Sequence, residues 1–156
     1  MLHVSRRPLA LPALTLLLLT LLPAALAQTP ADKDKDAPPF REYKGVRIGM
    51  TADEARKLLG TPADKDDKQD VYTFGENESC QVYYDETKKV SALSISFFGG
   101  KAVPAAKAVL GEEPEAKQDG SLYKLIRYPK AGFWVSYTRT SGDSPMTIIA
   151  MQKIDQ

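Results

Sequence analysis

Histidine is nearly missing from this chain: His3 is the only one in 156 residues, and it falls in an N-terminal stretch expected to be removed. Without an imidazole, the rest of the chain lacks the base of a Ser/His or Cys/His nucleophile system. It also lacks the nitrogen ligand of zinc and copper sites. Cysteine is equally scarce, and Cys80 on its own allows no internal disulfide framework. An excess of one charge is absent too. Removing Arg6 and Arg7 with the N-terminal stretch leaves 19 basic residues of the original 21, against 20 acidic ones. That balance offers no electrostatic footprint for nucleic acid or anionic lipid, so neither is an expected partner. No metal and no cofactor is expected.

What is present begins with residues 1–27, which read as a secretory signal peptide. Arg6 and Arg7 form the basic start, "LALPALTLLLLTLLPAALA" the apolar core, and Ala25-Leu26-Ala27 a small-residue cleavage site with Gln28 behind it. An uncleaved anchor is the competing reading, but the unbroken apolar run is short for a span and Pro12 and Pro23 interrupt it. Lipid attachment needs Cys after the cleavage point, where Gln28 stands. The expected product is exported, periplasmic or secreted, without stable membrane insertion. Residues 28–39 mix Pro with alternating charges and no apolar period, the composition of a disordered tether.

The stretch "IGMTADEARKLLGTP" (48–62) reads as a helix marked at both ends. Thr51 and Glu54 have the spacing of a capping box. Ala55, Leu58 and Leu59 make a narrow apolar face, Gly60 supplies the stop and Pro62 prevents resumption. Three strands are expected next at 71–74, 79–85 and 89–97, joined by hairpin-length turns. Cys80, Val82 and Tyr84 alternate with Gln81 and Tyr83, and Leu93, Ile95 and Phe97 with Ser94 and Ser96. Such alternation belongs to a sheet with one buried and one wet face. Val90 and Ala92 are out of phase with Leu93, which predicts a bulge near Ser91.

Residues 100–114 then lie over 49–62, with Gly100 on Gly49, Ala106 on Ala55, Leu110 on Leu59 and Gly111 on Gly60. Pro104 marks the second helix start in place of the capping box. Strand-like runs follow at 121–129, 133–139 and 146–153, with Phe133, Val135 and Tyr137 in the phases of Cys80, Val82 and Tyr84. The expected fold is therefore α+β: two tandem repeats, each a short helix packed on a three-stranded antiparallel meander, over residues 40–99 and 100–156.

Ile48, Gly49, Met50 and Thr51, with Leu59-Gly60-x-Pro62 and the aromatic-bearing strands behind them, resemble the SmpA/OmlA (BamE-type) domains of the bacterial envelope. Two such units in tandem look like the β-lactamase inhibitory protein architecture, in which paired repeats form a concave protein-binding surface. The chain departs from the first family in its missing lipid-bearing Cys and its two units. The resemblance implies a non-enzymatic protein-binding module of the cell envelope.

Other motifs carry less. Gly49 lies in neither a G-x-x-x-x-G-K-[ST] nor a G-x-G-x-x-G pattern, so a helix start is expected rather than a phosphate cradle. "DKDDKQD" (64–70) lacks the Gly and the Glu of a calcium loop and reads as a solvated run. "SGDSP" (141–145) has no nucleophile elbow and reads as a hairpin turn. Cys80 alternates with core residues and reads as an inert thiol. The expected partner-binding residues are Tyr83, Trp134, Ser94, Ser96, Ser136 and Thr138 on the wet face, with Tyr72 and Lys124 as possible neighbours. Large aromatics among small hydroxyl residues are the composition of protein-recognition surfaces. Two other functions stay open: an inhibitor of a secreted enzyme, and a hydrolase using a carboxylate pair.

Overall fold

A computed structural model describes residues 37–99 and 102–154. The signal peptide, residues 28–36 of the tether and the Gly100–Lys101 part of the join between halves lie outside the described residues. Where the tether is described it is not fully solvated, since Pro38 is buried. The Pro39 ring sits so close that a Cβ on Gly111 would meet it at 3.2 Å.

Helix α1, Ala52–Leu59, forms because its ends are satisfied locally. The Glu54 N–H donates to Thr51 Oγ1 at 3.3 Å, and the Thr51 N–H donates to Glu54 Oε2 at 2.9 Å. At the other end the Gly60 N–H reaches Arg56 O at 2.9 Å, with Gly60 at φ +84°, where a Cβ would be strained. The buried side chains are Ala52, Ala55 and Leu59. Leu58, expected on that face, is instead 49% exposed.

The strands are β1 (Asp64–Lys65), β2 (Gln69–Phe74), β3 (Glu78–Tyr84) and β4 (Val90–Phe98). After α2 (Ala106–Leu110) come β5 (Leu122–Tyr128), β6 (Phe133–Arg139) and β7 (Met146–Lys153). Their order across the sheet is β1-β2-β3-β4-β7-β6-β5, with every neighbouring pair antiparallel. Register slips between Tyr83 and Tyr84, so Ser91 is the extra residue, as the phase of β4 predicted.

This arrangement corrects the expectation of two tandem helix-on-meander repeats. Strands β4 and β7 pair from Ala92↔Gln152 to Phe98↔Met146, which makes one continuous seven-stranded sheet. The helices are minor additions, and α2 is only five residues long with no side-chain cap. The physical reason lies in the edges. A three-stranded meander exposes an unpaired strand on each side, and joining β4 to β7 removes one such edge from each half. Val82, Leu93, Ile95, Val135, Ile149 and Met151 are fully inaccessible in a single core that crosses the junction. Burying each such side chain contributes about 1.5–3 kcal/mol.

Candidate protein-recognition face

Side chains alternate across a sheet, so register alone assembles the face opposite the helices. One row runs from Tyr83 through Ala92 and Gln152 to Trp134. The next runs from Gln81 through Ser94 and Ala150 to Ser136, and the third from Ser79 through Ser96 and Ile148 to Thr138. Strand β5 extends the rows with Arg127, Leu125 and Tyr123. Tyr83, Trp134, Ser94, Ser96, Ser136 and Thr138 thus all stand on one face, spread over β3, β4 and β6.

The face is contoured. A shallow depression of about 390 Å³ lies over Ala92, Ser94, Ala150 and Gln152, with Tyr83 at one side and Trp134 at the other. Those two aromatics stand three strand spacings apart, about 14 Å at ~4.8 Å per strand. Tyr83 and Trp134 are both half-buried. The Tyr83 hydroxyl donates to Gln81 Oε1, which leans the ring along its strand. Ser136 is the exception to the expected exposure, at 8%. It lies on an inner strand between Leu125 of β5 and Ala150 of β7, flanked on its own strand by Trp134 and Thr138.

Charge is sparse on these rows. Arg127, opposite Trp134, is the one charged residue among them. Low charge at the centre and aromatic residues at the sides match the composition of interface cores. Tyr123 and Leu125, 53% and 37% exposed, belong to the face and escaped sequence reasoning. Strand β5 carries large side chains on both faces, so its phase is ambiguous until its register with Trp134 is known. The possible neighbours fall on the other side: Tyr72 is 1% exposed in the core. Lys124 pairs with Glu112 at 2.7 Å beneath the sheet.

A polar cluster lies under α1. Asp70, expected in a solvated run, is completely buried. Its carboxylate accepts from Arg56 Nε at 2.8 Å and from a second guanidinium nitrogen at 3.1 Å. It accepts also from the Tyr84 hydroxyl at 2.7 Å and the Tyr72 hydroxyl at 3.4 Å. Burial pushes the Asp70 carboxyl up, but the hydrogen bonds from Arg56 and then Tyr84 hold it below the usual carboxylate range. Burial and the neighbouring carboxylate push Tyr72 up to about 12 and Tyr84 higher still. Every polar atom here has a partner, so the cluster clamps α1 to β2 and β3. No buried side-chain nitrogen or oxygen among the described residues is left unpaired.

The remaining motifs resolve simply. The Gly49 N–H is committed to Val90 O at 2.8 Å, and the Val90 N–H returns to Met50 O at 2.7 Å. The glycine therefore stitches the approach to α1 onto β4, at a φ of +87°. Cys80 is buried, and burial with the nearby Glu78 carboxylate pushes its thiol up to about 12, a protonated and unreactive state. "SGDSP" turns β6 into β7, with the Thr140 N–H on Met146 O at 2.9 Å. Among the described residues no three His, Cys, Asp or Glu side chains converge in a group able to hold a metal ion. No helix among them is long and apolar enough to cross a membrane.

Compared with protein-family models, with curated proteins and with solved structures, the chain matches none of them.

Proposed function

We propose that the chain is an exported, non-enzymatic protein-binding module of the bacterial cell envelope, and that its partner docks across the outer face of the sheet. The observation that carries this reading is the depression of about 390 Å³ between Tyr83 and Trp134, floored by small residues. Ala92, Ser94 and Ala150 in its floor let a partner's backbone or bulky residue approach closely. Tyr and Trp at its sides supply large apolar area with few rotatable bonds to order. The resemblance of residues 48–62 to SmpA/OmlA domains supports the envelope setting.

A photo-crosslinker in place of Trp134 or Tyr83 tests the reading in envelope extracts. The expected result is one discrete protein captured from both positions and none from Lys57, which is exposed on α1. Capture from Lys57 alone, or from no position, removes the proposal. If the captured partner is an enzyme whose activity falls stoichiometrically on mixing, the module acts as an inhibitor.

A further inference from the structure

A cavity of about 220 Å³ lies on the helix side of the sheet, against the segment that leads into α2. Its sheet wall is one row of the register, Leu122 of β5, Arg139 of β6 and Thr147 of β7, with Tyr137 a step further along β6. Its other wall includes Val103, Pro104 and Ala106. The Tyr137 hydroxyl donates to Pro104 O at 3.3 Å and ties the two walls together. The volume falls below the ~300–1,000 Å³ of sites for drug-sized ligands, so a fitting occupant is small. Two opposite charges, Arg139 and Glu113, line this cavity. Both are exposed, and neither side chain makes an ion pair or hydrogen bond with the other or with any other described residue. The adjoining carboxylate is already committed, since Glu112 holds Lys124 at 2.7 Å. The cavity thus presents one guanidinium and one carboxylate, kept apart, beside an apolar wall.

We propose that this cavity binds a small apolar α-amino acid. The ligand carboxylate accepts from the Arg139 guanidinium, whose planar fork matches a carboxylate. The ligand ammonium donates to Glu113. Both contacts are charge-assisted, the stronger kind of hydrogen bond. The ligand side chain lies against Val103, Pro104 and Leu122. Other small molecules match the lining less well. A lone anion meets the Glu113 carboxylate, a lone cation meets the Arg139 guanidinium, and an uncharged ligand leaves both charges unmatched. The cavity is on the opposite side of the sheet from Tyr83 and Trp134, so this site does not rest on the protein-binding reading of the outer face.

Titration calorimetry of the purified protein tests this with four probes: L-alanine, L-valine, isovalerate, which lacks the ammonium of valine, and isobutylamine, which lacks its carboxylate. At least one of the two amino acids is expected to bind saturably, with one site per chain. Isovalerate and isobutylamine are expected to bind at least about tenfold more weakly. Arg139→Gln and Glu113→Gln are each expected to weaken the amino acid by at least about tenfold. Binding of neither amino acid, equal binding of isovalerate or isobutylamine, or undiminished binding by both variants would each overturn the proposal. Should either variant not fold, amide and methyl NMR shifts of the wild type decide. Shifts on adding the amino acid that centre on Val103, Leu122 and Thr147 support the site, and shifts elsewhere or none overturn it.

Discussion

The two halves of the sheet solve the same problem with different chemistry. Around β2 and β3 the cover is an eight-residue helix with a complete capping box, and a buried carboxylate–guanidinium pair ties it to the strands. Around β6 and β7 the cover is a five-residue helix with no side-chain cap. Its buried polar ties to the sheet are neutral and long, the Tyr137 hydroxyl on Pro104 O at 3.3 Å and the Tyr128 hydroxyl on Leu110 O at 3.4 Å. Beneath β5 lies an open depression of about 1000 Å³, bounded by Pro38, Pro39, Leu110, Ile126 and Tyr128. The first half is held by directional contacts that fail if one partner is lost. The second has no buried ion pair among its described contacts and packs through Val135, Tyr137, Ile149 and Met151 along β6 and β7. The sheet junction lets the unlike halves share one core.

The comparison breaks most sharply at Arg56. Arg56→Ala leaves the Asp70 carboxylate buried without its counter-charge, at an expected cost of about 3–5 kcal/mol. Tyr137→Phe removes one hydroxyl bond in the other half and should cost about 1 kcal/mol or less. Urea unfolding midpoints of the two variants read the difference directly. Equal losses would mean that the halves are not held differently.

Acid separates the same contacts. Asp70 is held below its unfolded value of 3.8, so its contribution is present above that pH. It is lost as pH falls through the lower folded value. Wild-type stability should therefore decline below about pH 4, and Asp70→Asn should flatten that part of the decline. Melting temperatures between pH 5 and pH 2 measure it, and parallel curves for the two proteins would refute it.

Smaller effects sit at the helix starts. Thr51→Ala removes the cap of α1 and should cost about 1 kcal/mol. Ala105→Ser supplies the cap that α2 lacks and should add about 0.5 kcal/mol. Chemical denaturation of both variants checks whether the missing cap accounts for part of the asymmetry.

Sequence reasoning reached what is local and periodic. Alternation in β3, β4 and β6 was enough to gather Tyr83, Trp134 and the four hydroxyl residues on one side. The Thr51/Glu54 spacing was enough for α1. Asp70 was hidden because it ends a run of charges, and its burial is made tolerable by Arg56, fourteen residues earlier, and Tyr84, fourteen residues later. Leu58 and Leu59 adjoin, and packing against the sheet, not helical spacing, decides which one is buried. The joining of β4 to β7 is a pairing between strands about fifty residues apart, and no window of sequence contains both. Helix signals drew attention to short elements, and the larger organising feature is the continuous sheet.

The central claim is that recognition lies on the outer sheet face, away from the Asp70 clamp and the helices. The direct measurement is the affinity of the partner captured at Trp134 for a Tyr83→Ala/Trp134→Ala variant whose melting temperature matches the wild type. A fall of at least about tenfold, or 1.4 kcal/mol, is expected. An unchanged affinity would contradict the account.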